Sequence, residues 1–192
     1  NIAPEWIGPF LASIDPARPL QDLPYQYCLP ADEAARFTDQ ERELLLFDGI
    51  ATTAVDRAGV MKTERLITTY KTNSAGGPDT SYLDVETLFT LMTIRHDWRS
   101  TIQQRYPRYK LANDGTRFGP GQAVVTPGVI KSEAVAKCGE WEELGLVENV
   151  DRWKGEIVVE RNASDPNRVD VLLPPDLING LRVIATKIQF RL

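Results

Sequence analysis

The hydrophobic and polar positions of the 192-residue chain change period several times, and each change predicts an element. The strongest helical pattern covers residues 82–106. Leu91, Ile94, Trp98, Ile102 and Tyr106 recur near the 3.6-residue period and form one stripe, and Pro107 stops the helix. A second helix opens at Thr126–Pro127, an N-cap followed by a proline at the first helical position, and ends near Leu144–Gly145. A shorter helix fits "FTDQERELLLFDG", where Thr38 and Glu41 make a capping box and Gly49 is placed to end it. Residues 5–13 also fit a short helix. The four prolines of "DPARPLQDLPYQYCLP" force that stretch to be extended or turning.

Strand signals lie between the helices. "IATTAVDRAGVMKTERLITTY" reads as a hairpin turning at Asp56–Gly59. Neither face of its second arm is cleanly apolar, which predicts a ribbon projecting from the body. "AVVTP" predicts a short strand, and "GEIVVERN" and "NRVDVLLP" predict two more around a turn at Asp165–Asn167. "KTNSAGGPDTS" is the clearest loop, and it divides the chain into residues 1–75 and 76–192. The expected class is α+β: a mixed or antiparallel sheet packed against helices, with a β-hairpin and an extended C-terminal strand.

The last ten residues, "VIATKIQFRL", raise a separate question. Ile184, Ile188, Phe190 and Leu192 share one side of a strand, interrupted only by Thr186. Val183, Ala185, Lys187, Gln189 and Arg191 share the other. Fully extended, the segment reaches roughly 33 Å. An apolar strand with a free edge needs cover. It either closes a sheet of its own chain or adds to the sheet of a neighbour.

Composition narrows the function classes. With 42% hydrophobic and 26% charged residues the chain is an ordinary globular one. No apolar run approaches the roughly 20 residues of a membrane span. The start lacks the features of a signal peptide and has no initiator Met, which suggests a fragment of a longer chain. A net charge of −5 argues against nucleic acid as the main partner. Cys28 and Cys138 have no metal-site spacing and read as free thiols.

Candidate chemistry is sparse. The sole histidine, His96, sits mid-helix among charges, and no nucleophile motif, phosphate loop or metal motif accompanies it. Glu140, Glu142 and Glu143 fit the polar side of an amphipathic helix better than a metal site. No catalytic residue, metal ligand or cofactor is expected. The basic residues Arg95, Arg99, Arg105, Arg108 and Lys110, with Lys131 and Lys137 on the next helix, admit three readings. They form a solvated face with snorkelling arginines, a docking surface for an acidic protein, or a nucleic-acid surface.

Several stretches carry a resemblance: "IDPARPLQ", "ERELLLFDGI", "ERLITTYKTN", "PDTSYLDVETL", "RYPRYKLANDGTRFGPGQAVVTP" and "ERNASDPNRVDVLLPPDLINGLRVIATKIQF". Together they resemble the contractile-tail sheath proteins of bacteriophages, those of Mu-like phages in particular, over the C-terminal part of the subunit. The resemblance implies a structural, non-enzymatic subunit of the virion, assembled in the host cytoplasm. Such subunits stack in rings around a tail tube and contract to drive the tube through the host envelope. It implies as partners neighbouring sheath subunits, the tail tube, baseplate and tail terminator proteins, with no nucleic acid and no membrane insertion. Residues 1–75 would be the last part of a middle domain of subtilisin-like fold, and 76–192 the C-terminal domain with its arm. Residues 183–192 match the arm strand that pairs with the next subunit. "TPGVIKSEAVAKCGEWEELGL" is similar to the tube-facing helix, which points to Lys131 and Lys137 as tube-facing charges. A sheath of a pyocin-type particle or of a secretion system fits almost as well, and a subtilisin-like hydrolase relic fits less well.

Overall fold

A computed structural model of the chain describes residues 15–25 and 28–191. The helix expected over residues 5–13 and the terminal Leu192 lie outside the described residues. The chain divides into two compact units, Asn1–Phe89 with Asn179–Leu192, and Thr90–Ile178. The long helix crosses the division between these two units.

In the first unit, helix α1 spans Asp39–Phe47. Its capping box is complete: Thr38 Oγ1 accepts from the Glu41 amide at 3.3 Å, and Glu41 Oε2 accepts from the Thr38 amide at 2.8 Å. Gly49 ends the helix at φ +76°, a conformation that a Cβ penalises. Strands β1 (Thr52–Val55) and β2 (Met61–Arg65) pair antiparallel. The Asp56 carboxylate closes their turn by accepting from the amides of Ala58 and Val60. This ribbon does not project freely. The outer edge of β2 is taken by the proline-rich stretch, with Asp22 N–H bonded to Thr63 O at 2.8 Å and Tyr25 N–H to Met61 O at 2.9 Å. Thr52 and Thr63 are buried there, so threonines do what an apolar face would have signalled in the sequence. The loop after β2 is internally bonded: Asn73 Oδ1 accepts from Ala75 and Gly77, and the Tyr70 hydroxyl donates to Asp79 at 2.5 Å.

Helix α2 spans Val85–Arg105, begins in the first unit and continues into the second. Ile94 is buried and Leu91, Trp98, Ile102 and Tyr106 are half-buried, so the apolar stripe is the inward face. Helix α3 runs over Pro127–Glu143 from a Thr126 N-cap. Its buried positions Ile130, Ala134, Cys138 and Trp141 follow the helical period and join Val125, Leu146, Val147 and Ile157 in the core of the second unit. Helix α4 is a single turn, Val150–Trp153. Strands β3 (Lys110–Leu111) and β4 (Val124–Val125) pair parallel, and β5 (Val158–Arg161) and β6 (Val169–Leu172) pair antiparallel.

The class is α+β, with the described strands in three separate two-stranded ribbons. The described strands are two to five residues long.

Candidate inter-subunit surface

Arg182 is the last of the described residues that is not exposed. Arg182 is three-quarters buried, with Nη1 2.7 Å from Asp84 Oδ1 and Nη2 3.6 Å from Glu86 Oε2. Asp84 also pairs with Arg65 at 3.3 Å, and Glu86 Oε1 accepts the Leu20 amide at 2.9 Å. From Val183 to Arg191 every residue is exposed. The large side chains stand almost fully in solvent: Val183 81%, Ile184 76%, Ile188 88% and Phe190 82%. Among the described residues this run has no strand pairing and no backbone hydrogen bond. The expected terminal strand thus finds no ladder among the described residues.

An open ribbon is present in the second unit. Val158 and Leu172 are direct cross-strand partners, so they lie on one face of β5–β6, and both are exposed. Among the described residues the outer edges of β5 and β6 carry no backbone partner. Exposed apolar side chains beside unpaired backbone are what a further strand would cover.

The basic residues separate into bound and unbound groups. Lys137 is mostly buried and bridges Asp97 on α2, at 2.9 Å, and Glu140, at 2.6 Å. Trp141 Nε1 donates to the same Asp97 oxygen at 2.7 Å. Burial pushes the Asp97 carboxyl up, but hydrogen bonds from Lys137 and Trp141 outweigh it, and the group sits below its ordinary 3.8. Arg105 pairs with Glu133 on α3. Arg95, Arg99, Arg108 and Lys131 are exposed and make no ion pair among the described residues. The seven residues expected to act alike therefore split: Lys137 and Arg105 join α2 to α3, Lys110 donates to Gln122 Oε1 at 3.3 Å, and Arg95, Arg99, Arg108 and Lys131 face solvent.

No arrangement of catalytic groups stands out. His96 is exposed on α2. Glu140 holds Lys137 and Glu142 accepts the Val150 amide, so both stabilise helix ends rather than converge on a site. No group of three or more His, Cys, Asp or Glu among the described residues could hold a metal ion. Burial pushes the Cys138 thiol up to about 11, which leaves it unreactive at neutral pH. No described helix is long and apolar enough to cross a membrane.

Residues 77–191 match the family model described as phage tail sheath C-terminal domain. The chain belongs to the phage tail sheath family. It is similar to the Mu-like prophage FluMu tail sheath protein of Haemophilus influenzae, 45% identical over 178 residues, which cover 93% of this chain and 36% of that protein. It also shares its fold with the sheath tail protein from Desulfitobacterium hafniense, a crystal structure matched at TM-score 0.57 and 13% identity over 90% of this chain and 40% of that one. The chain thus spans little more than a third of the length of its curated relative.

The Arg182–Asp84–Glu86 cluster was not anticipated from the sequence. Its signals were a lone charge in "LINGLRVIA" and two acids flanking Val85 at a helix start.

Proposed function

We propose that this chain is the C-terminal portion of a contractile phage tail sheath subunit, a structural and mechanical part of the virion. Residues 1–75 belong to the end of a middle domain and residues 76–192 form the C-terminal domain and its arm. The whole subunit polymerises around the tail tube and contracts to drive the tube through the host envelope, without enzymatic activity of its own. Its partners are neighbouring sheath subunits, the tube, and the baseplate and terminator proteins. It is assembled in the host cytoplasm.

The observation that carries this reading is the exposed apolar run 183–191, which has no ladder among the described residues. Paired with a ribbon edge of the next subunit, it satisfies its backbone groups and covers its apolar side chains together. The β5–β6 ribbon is the favoured acceptor, because Val158 and Leu172 offer an apolar face at an open edge. Such a contact is heterologous and builds a helical tube when the rotation does not close. The exposed Lys131 is the better candidate for the tube-facing charge, since Lys137 is already held by two carboxylates. Arg95, Arg99 and Arg108 supply further weak, screened contacts that can be exchanged during contraction.

Electron microscopy of the full-length subunit tests the reading. Striated hollow tubes from the intact subunit, and none from one ending at Arg182, are expected. Tubes that survive removal of residues 183–192 would refute the role of the terminal strand.

A further inference from the structure

We propose that Arg182 is the fixed root of the terminal segment. Its guanidinium pins residues 180–182 to the start of α2 through Asp84 and Glu86, and residues 183–191 leave the body as a lever clamped at one end. This rests on the strand-donating role proposed above.

Three observations meet at this point. The first is burial: the Arg182 side chain is 27% exposed between neighbours that stand largely in solvent, Leu181 at 70% and Val183 at 81%. Arg182 is thus the last of the described residues whose side chain packs on the body. The second is steric. A Cβ on Gly180 would lie 2.6 Å from Pro19 Cγ, so the backbone passes Pro19 at a distance that only glycine permits. The third is that Pro19 has a fixed neighbour. Leu20 is buried, and its amide donates to Glu86, one of the two carboxylates that Arg182 reaches.

The carboxylates are held without Arg182. Arg65 pairs with Asp84, and Leu20 N–H bonds to Glu86. The acidic pair is thus a preformed socket, and the guanidinium is the plug. A planar fork with several donors suits two carboxylates two residues apart better than an ammonium does. Load carried by the arm enters the body at the start of α2, a helix that continues into the other unit.

Spin labelling of the full chain tests this. In a Cys28→Ser background the buried Cys138 stays unlabelled, and a nitroxide is attached at a single cysteine replacing Ile184 or Phe190. The expected spectrum is broadened at 184 and narrow at 190. Arg182→Ala should remove the broad component at 184 and leave 190 unchanged. Circular dichroism should stay native, because Arg65 and Leu20 still hold the socket. Gly180→Ala, which retains the guanidinium but pushes the backbone off Pro19, should act in the same way and serves if Arg182→Ala does not fold. Equal mobility at both sites in the parent chain, or a broad component that survives both substitutions, overturns the proposal. The measurement is made on the chain alone, so it is independent of assembly. Labels that fail while truncation abolishes tubes would remove the root and leave the strand reading. Labels that succeed while truncated subunits still form tubes would do the reverse.

Discussion

Replacing Asp97 by alanine should destabilise the second unit by about 2–4 kcal/mol. One oxygen of Asp97 accepts from the indole of Trp141, which is 1% exposed, and from Lys137. Loss of a hydrogen bond between a charged acceptor and a buried donor costs about 1.5–3 kcal/mol. The lost ion pair adds at most about 1 kcal/mol, because Lys137 keeps Glu140. For a chain of this size such a change lowers Tm by roughly 4–16 °C. Asp97→Asn retains an acceptor for the indole and should cost about half as much. Urea denaturation followed by Trp fluorescence reads these differences, and the double variant with Lys137→Ala gives the coupling between the two residues. A loss below about 0.5 kcal/mol for Asp97→Ala, with no coupling to Lys137, would refute the cross-link and return Lys137 to the set of available interface charges.

Four further outcomes are expected. Acidification should weaken the protein through Asp97: its folded pKa lies below 3.8, so its contribution is present above that value and is lost as pH falls through the folded value, and Asp97→Asn should flatten that limb of the stability–pH curve. Thr38→Ala should cost about 1 kcal/mol by removing the N-cap of α1, measured by thermal melting, with no effect on residues of the second unit. Gly49→Ala should cost about 1–2 kcal/mol, since it combines φ +76° with a Cβ 3.1 Å from Thr69 Cα. Ile188→Asp with Phe190→Asp should leave Tm unchanged, because both side chains are exposed, while abolishing tubes of the full-length subunit; a lowered Tm would mean that the run packs on its own body.

The legible parts of the fold were those written in local chemistry. Thr38 and Glu41 satisfy each other's backbone amides across three residues, and Thr126–Pro127 opens α3, so both helix starts could be read from neighbours in sequence. The stripe from Leu91 to Tyr106 faces inward as its period required. What escaped was non-local. Strand β3 has two residues and exists only because Leu111 meets Val125 across a loop, which no periodicity can signal. The edge of β2 at Thr63 is covered by a proline-rich segment that returns along it from far away in sequence. The same limit applies to the basic residues. Arg95 and Arg105 look alike in sequence, yet Arg105 meets Glu133, 28 positions away, and Arg95 meets solvent.

The four-residue strands β5 and β6 constrain how the terminal segment can pair. An acceptor edge of that length satisfies about four residues of arm and leaves the rest of the segment unpaired. The apolar sequence decides which end pairs. Ile188 and Phe190 are two apart and share one face, whereas Ile184 is followed by Ala185 and Thr186. On the proposed reading, residues 187–190 therefore form the ladder, with Ile188 and Phe190 extending the face of Val158 and Leu172, and residues 183–186 form the tether. A tether lets bodies turn while a ladder stays closed, because backbone bonds in register exchange less readily than exposed ion pairs. Disulfide trapping in assembled full-length tubes separates the two stretches. Cysteines at 188 and 158 or 172 should cross-link between subunits in both extended and contracted tubes. Cysteine at 184 should not link to either position, and an efficient link from 184 would move the ladder to the root of the arm and remove the tether.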